Sequence, residues 1–150
     1  MRLRVRITLA GSASVLALSL ASASAGQANA SSAAASETYR DVYNGWKWWH
    51  VYCYRCHGVD AIGTATAPSL IDPTENFTRT AFLNIVRTGR PNTAMQGWSK
   101  LLDDRQIGQI YLYVRARADK VLPAGRPDEN GAKGSPWVPP DGWPRVQRSR

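Results

Sequence analysis

Cysteine, histidine and methionine are scarce in this 150-residue chain, with two of each. That scarcity narrows the chemistry. A zinc site built on a Cys-x-x-Cys pair needs two further ligands, and beyond the adjoining His57 the chain offers only His50 and no third cysteine. Strand-like alternation is also missing, which argues against the βαβ setting of a thioredoxin-like dithiol. There is no Ser/His/Asp set, no glycine-rich phosphate loop and no second metal cluster, so nothing reads as an enzyme's own site. No apolar run is long enough for a stable membrane span. There is no internal repeat.

What is present is concentrated. Both cysteines fall in Cys53-Tyr54-Arg55-Cys56-His57. Two thiols three positions apart with a histidine directly after them form the attachment signature of a covalent c-type haem. Each sulfur adds across one vinyl group, and the histidine supplies the proximal iron nitrogen. One haem uses both thiols. The sequence thus predicts Cys53 and Cys56 as covalent haem anchors and His57 as an iron ligand. A disulfide or dithiol without haem is the alternative at these positions.

The first residues read as a targeting segment. Arg2, Arg4 and Arg6 form a basic start, and residues 7–20 are apolar with small residues mixed in. Ala23-Ser24-Ala25 and Ala28-Asn29-Ala30 both offer a small-x-small cleavage site. There is no twin-arginine pair and no cysteine for a lipid anchor. Residues 1–30 are therefore expected to be a signal peptide, 31–37 a Ser/Ala spacer, and the location periplasmic. About 120 residues remain, enough for one domain with a modest core. Losing three arginines takes the net charge from +8 to +5, of which residues 120–150 carry +3. An acidic protein partner fits that tail, and a solvated basic end fits it equally. Nucleic acid does not suit an exported haem protein.

Between leader and tail the periodicity is helical. Tyr39, Val42, Tyr43, Trp46, Trp49 and Cys53 repeat at three and four, interrupted by Gly45. Residues 58–70 form a loop rich in Gly, Ala and Thr. Residues 77–87 read as a helix with Gly89 past its end. Residues 90–100 form a loop holding Met95. Residues 103–119 form the clearest helix, with Asp103 and Gln106 as a capping box. Its predicted buried stripe is Ile107, Ile110, Tyr111, Val114 and Ala118, with Tyr113 beside it. Six prolines and four glycines after Lys120 exclude regular structure. That segment, with Trp137 and Trp143, is either a flexible end or an arm docked on the body or a partner.

Residues 38–119 resemble class I c-type cytochromes. Gly45 and Trp49, eight and four residues before Cys53, match positions that pack the family's first helix across its last, where Tyr113 matches the facing aromatic. The resemblance implies an all-α cytochrome c fold of three to four helices around one covalent haem, with an irregular C-terminal tail. It implies that the carbonyl of Pro68, in Pro68-Ser69-Leu70, orients His57. It also implies Met95, 38 residues after His57, as the sixth ligand. The family often has proline after this methionine, whereas here Gln96 follows. His50 or an open position is the alternative. The aromatic run 44–52 is similar to that of periplasmic cytochromes serving quinoprotein alcohol dehydrogenases.

The expected role is a periplasmic one-electron carrier, not an enzyme. Its donor would be a dehydrogenase, with a quinoprotein alcohol dehydrogenase as the candidate, and its acceptor a downstream cytochrome or oxidase of the respiratory chain. The rivals are a haem enzyme or gas sensor with an open iron position, and a permanent cytochrome subunit tethered by residues 120–150.

Overall fold

The chain divides into two units, Met1–Ala33 and Ala34–Arg150. A computed structural model describes residues 36, 38–72, 77–129, 136–141 and 143, all of the second unit. The expected signal peptide, and all of the spacer but Ser36, lie outside the described residues. Four helices carry the fold: α1 (residues 38–52), α2 (Tyr54–His57), α3 (Arg79–Thr88) and α4 (Asp104–Ala118). No strand occurs among the described residues; Gly89 and Gln96 form a lone antiparallel bridge.

The first and last helices cross at Gly45. A Cβ there would land on the backbone of Gln109 and Ile110, so only glycine lets the helices approach so closely. Val42 and Trp49 flank the crossing and are fully enclosed. The Trp49 ring meets the Tyr113 ring at 5.9 Å and 52°. Gln109 is buried beside them, with its amide satisfied from α1. It donates to Asp41 Oδ1 at 2.8 Å and accepts from Trp48 Nε1 at 3.2 Å. Leaving such an amide unpaired costs about 1–3 kcal/mol.

Local signals set the helix ends. Thr78 caps α3 by accepting from the Ala81 N–H at 3.2 Å. That places the start two residues later than the predicted Phe77. The capping box of α4 is complete, with Gln106 N–H to Asp103 and Asp103 N–H to Gln106 both at 2.8 Å. α1 breaks at Cys53, and α2 begins one residue later.

The buried surface of α4 is wider than the predicted stripe. Leu112, Tyr113 and Ala116 are buried, while Tyr111 and Ala118 are only half-buried. The reason is that α4 is covered on more than one side. α1 and α3 pack on it, and so does the segment after it. There the Val121 and Leu122 N–H groups turn back onto the Ala116 carbonyl. Trp137 is buried, and its Nε1–H donates to the Val121 carbonyl at 2.8 Å. Trp143 meets it edge-on at 5.9 Å and donates to Asp119 at 3.2 Å. In its described residues, the segment after Lys120 is an irregular arm docked on the body.

Candidate functional site

A cavity of about 300 Å³ opens between α1, α2, α3 and the loops at 64–70 and 90–98. That is at the lower end of the ~300–1,000 Å³ of small-molecule sites. Its walls are mainly carbon, from Trp49, Leu70, Phe77, Phe82, Val86 and Ile110. Among the described residues no carboxylate lines it, and the one charged side chain is Arg90, whose guanidinium lies 5.6 Å over the Phe77 ring.

All five predicted site residues, Cys53, Cys56, His57, Pro68 and Met95, line this cavity. The break at Cys53 brings both sulfurs to one wall. Cys56 is exposed and Cys53 is half-buried as a residue, with its sulfur set deeper. Burial first, and the neighbouring Cys56 second, push the Cys53 thiol up to about 12. The pocket therefore favours an uncharged sulfur at this position, a thiol or thioether over a thiolate. Among the described residues no three His, Cys, Asp or Glu side chains group as a metal site.

His57 is held through one nitrogen. Its Nδ1 lies 3.1 Å from the Pro68 carbonyl oxygen. A carbonyl only accepts, so Nδ1 carries the proton and Nε2 keeps its lone pair for a metal. The Trp49 ring sits 6.0 Å from the imidazole, and its Nε1–H donates to the Gly58 carbonyl at 3.1 Å. The peptide after the histidine is thereby tied to α1. Gly63 N–H donates to the His57 carbonyl at 2.7 Å and Thr64 Oγ1 to the Cys56 carbonyl.

Met95 comes from the other side of the sequence. Its carbonyl accepts from Arg90 N–H at 2.9 Å, and its own N–H donates to Thr93 Oγ1 at 3.2 Å. These bonds fold residues 89–96 into a short closed loop. Trp98 anchors it, with its N–H on the Val86 carbonyl at 2.8 Å and its ring against Tyr52 at 5.6 Å.

His50 does not line the cavity. It packs between the Trp46 and Tyr54 rings, with Nδ1 2.8 Å from the Trp46 carbonyl oxygen. Arg55 is exposed. Two residues were not singled out from sequence: Arg90, which lines the cavity, and Asp60, which lies near it in the loop after His57. Asp60 accepts from the Tyr113 hydroxyl at 3.3 Å and the Gly125 N–H at 2.9 Å, contacts 53 and 65 positions away in sequence. No local pattern announces such contacts.

The donor set, the neutral sulfur and the carbon walls fit a covalently held haem, for which His57 and Met95 would be the available iron ligands. Comparisons with known proteins point the same way. A family model described as "Cytochrome C oxidase, cbb3-type, subunit III" matches residues 40–114, half of the chain. Cytochrome c-555 of Methylococcus capsulatus (Bath) is 32% identical over 88 residues, covering 55% of this chain and 68% of that relative. The crystal structure of c-type cytochrome XoxG from Methylobacterium extorquens AM1 superposes with a TM-score of 0.54 at 28% identity. That match covers 63% of this chain and 60% of XoxG, so the chain spans about three fifths of its length.

Proposed function

This chain belongs to the c-type cytochrome family, whose haem is covalently bound, and from that premise we propose that it is a periplasmic one-electron carrier. The donor is a dehydrogenase, with a quinoprotein alcohol dehydrogenase as the first candidate, and the acceptor is a component of the respiratory chain. One observation carries the reading. A single carbon-walled cavity gathers both cysteines, an imidazole with its Nε2 free, and a thioether.

The haem supplies a one-electron couple at iron when bound. The protein's part is to hold and tune. Cys53 and Cys56 anchor the group. Pro68 fixes the His57 ring and tautomer, so that Nε2 is presented without reorganisation. Met95 offers a soft, neutral ligand that favours the reduced metal. Arg90 is the cation available to the haem carboxylates. Trp49, Leu70, Phe82 and Ile110 line the cavity with carbon and would keep water from the bound group. No bond of a substrate is made or broken, so rigidity is the requirement. The periplasmic location rests on the leader-like residues 1–30. No helix among the described residues is long and apolar enough to cross a membrane. The aromatic segment 44–52 supports the choice of donor.

The test is to produce the chain with a haem-c maturation system and record oxidised and reduced spectra. Expected are sharp reduced bands and a weak red ferric band from thioether ligation, lost in Met95→Ala. Reduction by a candidate dehydrogenase then becomes measurable by stopped flow. Tight carbon monoxide binding by the unmodified ferrous protein would overturn the two-ligand reading, and absence of covalent haem would remove the whole proposal.

A further inference from the structure

Asp60 lies three residues beyond His57 and joins the haem-motif segment to both α4 and the C-terminal arm. Its Oδ1 accepts from the Tyr113 hydroxyl at 3.3 Å and from the Gly125 N–H at 2.9 Å. Arg117 Nε stands 3.7 Å from the same oxygen. The Asp60 and Arg117 side chains are only 16% and 10% exposed, and Arg117 Nε has no hydrogen-bond partner among the described residues. The arrangement is costly. A carboxylate is drawn from water, and the backbone is left-handed at both Asp60 (φ 58°) and Ala61 (φ 63°). Aspartate tolerates that conformation; alanine gains nothing from it. Such strain persists only where the surroundings enforce it.

The enforced peptide leads back to the iron ligand. The Ala61 carbonyl accepts from Leu70 N–H at 2.9 Å and from Ser69 Oγ at 3.5 Å. These bonds fix the strand of loop that contains Pro68, whose carbonyl oxygen is 3.1 Å from His57 Nδ1. The arm that supplies Gly125 is itself pinned further on. Trp137 N–H donates to the Pro127 carbonyl at 2.7 Å, and its indole to the Val121 carbonyl at 2.8 Å.

We propose that the docked arm latches Asp60, and that latched Asp60 is a positioning residue for His57, pressing the Pro68 carbonyl onto the imidazole N–H and lowering the reduction potential of the haem. This rests on the reading of His57 as an iron ligand. A firm Nδ1–H···O bond raises the basicity of the ring and favours ferric iron. Release of the latch loosens the bond and raises the potential.

The experiment uses the haem-loaded full chain. Asp60→Gly removes the carboxylate and relaxes the backbone. Asp60→Asn removes the charge but keeps the acceptor, so the difference between them isolates positioning from charge. Asp60→Gly is expected to shift the ferric-to-ferrous balance at least threefold beyond Asp60→Asn, about 28 mV upward at 59 mV per tenfold for one electron. Exchange of the His57 Nδ1 proton, followed by NMR, accelerates in Asp60→Gly and not in Asp60→Asn. Trp137→Ala, which frees the arm and leaves the charge in place, shifts both readouts in the same direction by less. Equal potentials and equal exchange in the two Asp60 variants would overturn the proposal. A shift in Asp60→Gly with none in Trp137→Ala would overturn the arm's part. Should Asp60→Gly not mature, Tyr113→Phe and Trp137→Ala decide alone, since neither alters charge, and no change in either is the overturning result. Failure of the unmodified chain to carry covalent haem sinks the function reading itself and is distinguishable from all of these.

Discussion

Residues 58–70 and residues 89–101 both reach the cavity, but the first is stapled to distant elements and the second mostly to itself. Gly58 is held by Trp49, and Asp60 by Tyr113 and Gly125. Around Met95 the bonds run from Arg90 to Met95, from Thr93 to Arg90 and from Met95 to Thr93. Two bonds tie that loop to α3, Gly89 N–H to the Ile85 carbonyl and Trp98 N–H to the Val86 carbonyl, both at 2.8 Å. Opening the histidine side requires breaking contacts with α1, α4 and the arm together. Opening the methionine side breaks a few exposed bonds, each worth about 1 kcal/mol. The proposed histidine ligand is thus tied into the core, and the proposed methionine ligand is held on a loop at its surface.

The most severe way to break this contrast is Trp49→Ala. Trp49 is 1% exposed, packs its ring against that of Tyr113 and holds Gly58. The haem-loaded variant is expected to lose about 3–5 kcal/mol in urea unfolding. A loss under about 1 kcal/mol would mean that the histidine loop stands without α1. Gly89→Ala acts on the other loop. Its φ is 79°, and an added Cβ would press on the Met95 carbonyl. The expected cost is about 1 kcal/mol or more, with imidazole displacing the methionine from ferric iron at lower concentration. Unchanged imidazole affinity would show that the Met95 loop is stiffer than its bonds imply. The smallest effect belongs to the pair at the base of the methionine side. Arg87 holds the Asp104 carboxyl below its ordinary value, through a 2.7 Å hydrogen bond and then through charge. A lowered folded value means stability present above the unfolded carboxylate value and lost as pH falls through the folded one. Arg87→Ala should therefore lower the urea midpoint slightly at pH 7 and not at all in strong acid. Added salt should shrink the difference at pH 7, since Asp104 is exposed and Arg87 only half-buried.

The same division decides what could be read from sequence. Features encoded within a few residues were legible: the Cys53–His57 motif, the Asp103/Gln106 capping box, the glycine after α3. Gly45, Trp49 and Tyr113 were legible because the family resemblance supplied their pairing, and the structure places them in contact. The narrower predicted stripe on α4 failed because a single period assumes one covered face, whereas α1, α3 and the arm cover three. Asp60 was illegible for the same reason. Its partners lie on α4 and beyond Lys120, and an aspartate after Gly58-Val59 looks like an ordinary loop residue. In the described residues of the arm no regular structure follows Lys120, as its prolines imply, but composition does not say where irregular chain comes to rest.

The crossing at Gly45 also sets the order in which this molecule can assemble. Gly45 and Gln109 are separated by 64 positions. At about 5–20 residues per second of synthesis, α1 waits roughly 3–13 s before its partner helix exists. Through that interval Val42 and Trp49 have nothing to cover them, and both thiols stand on an unwalled segment. Whatever carries or shields the chain before α4 is available must therefore act on an uncovered first helix, because that helix finds shelter only on the last.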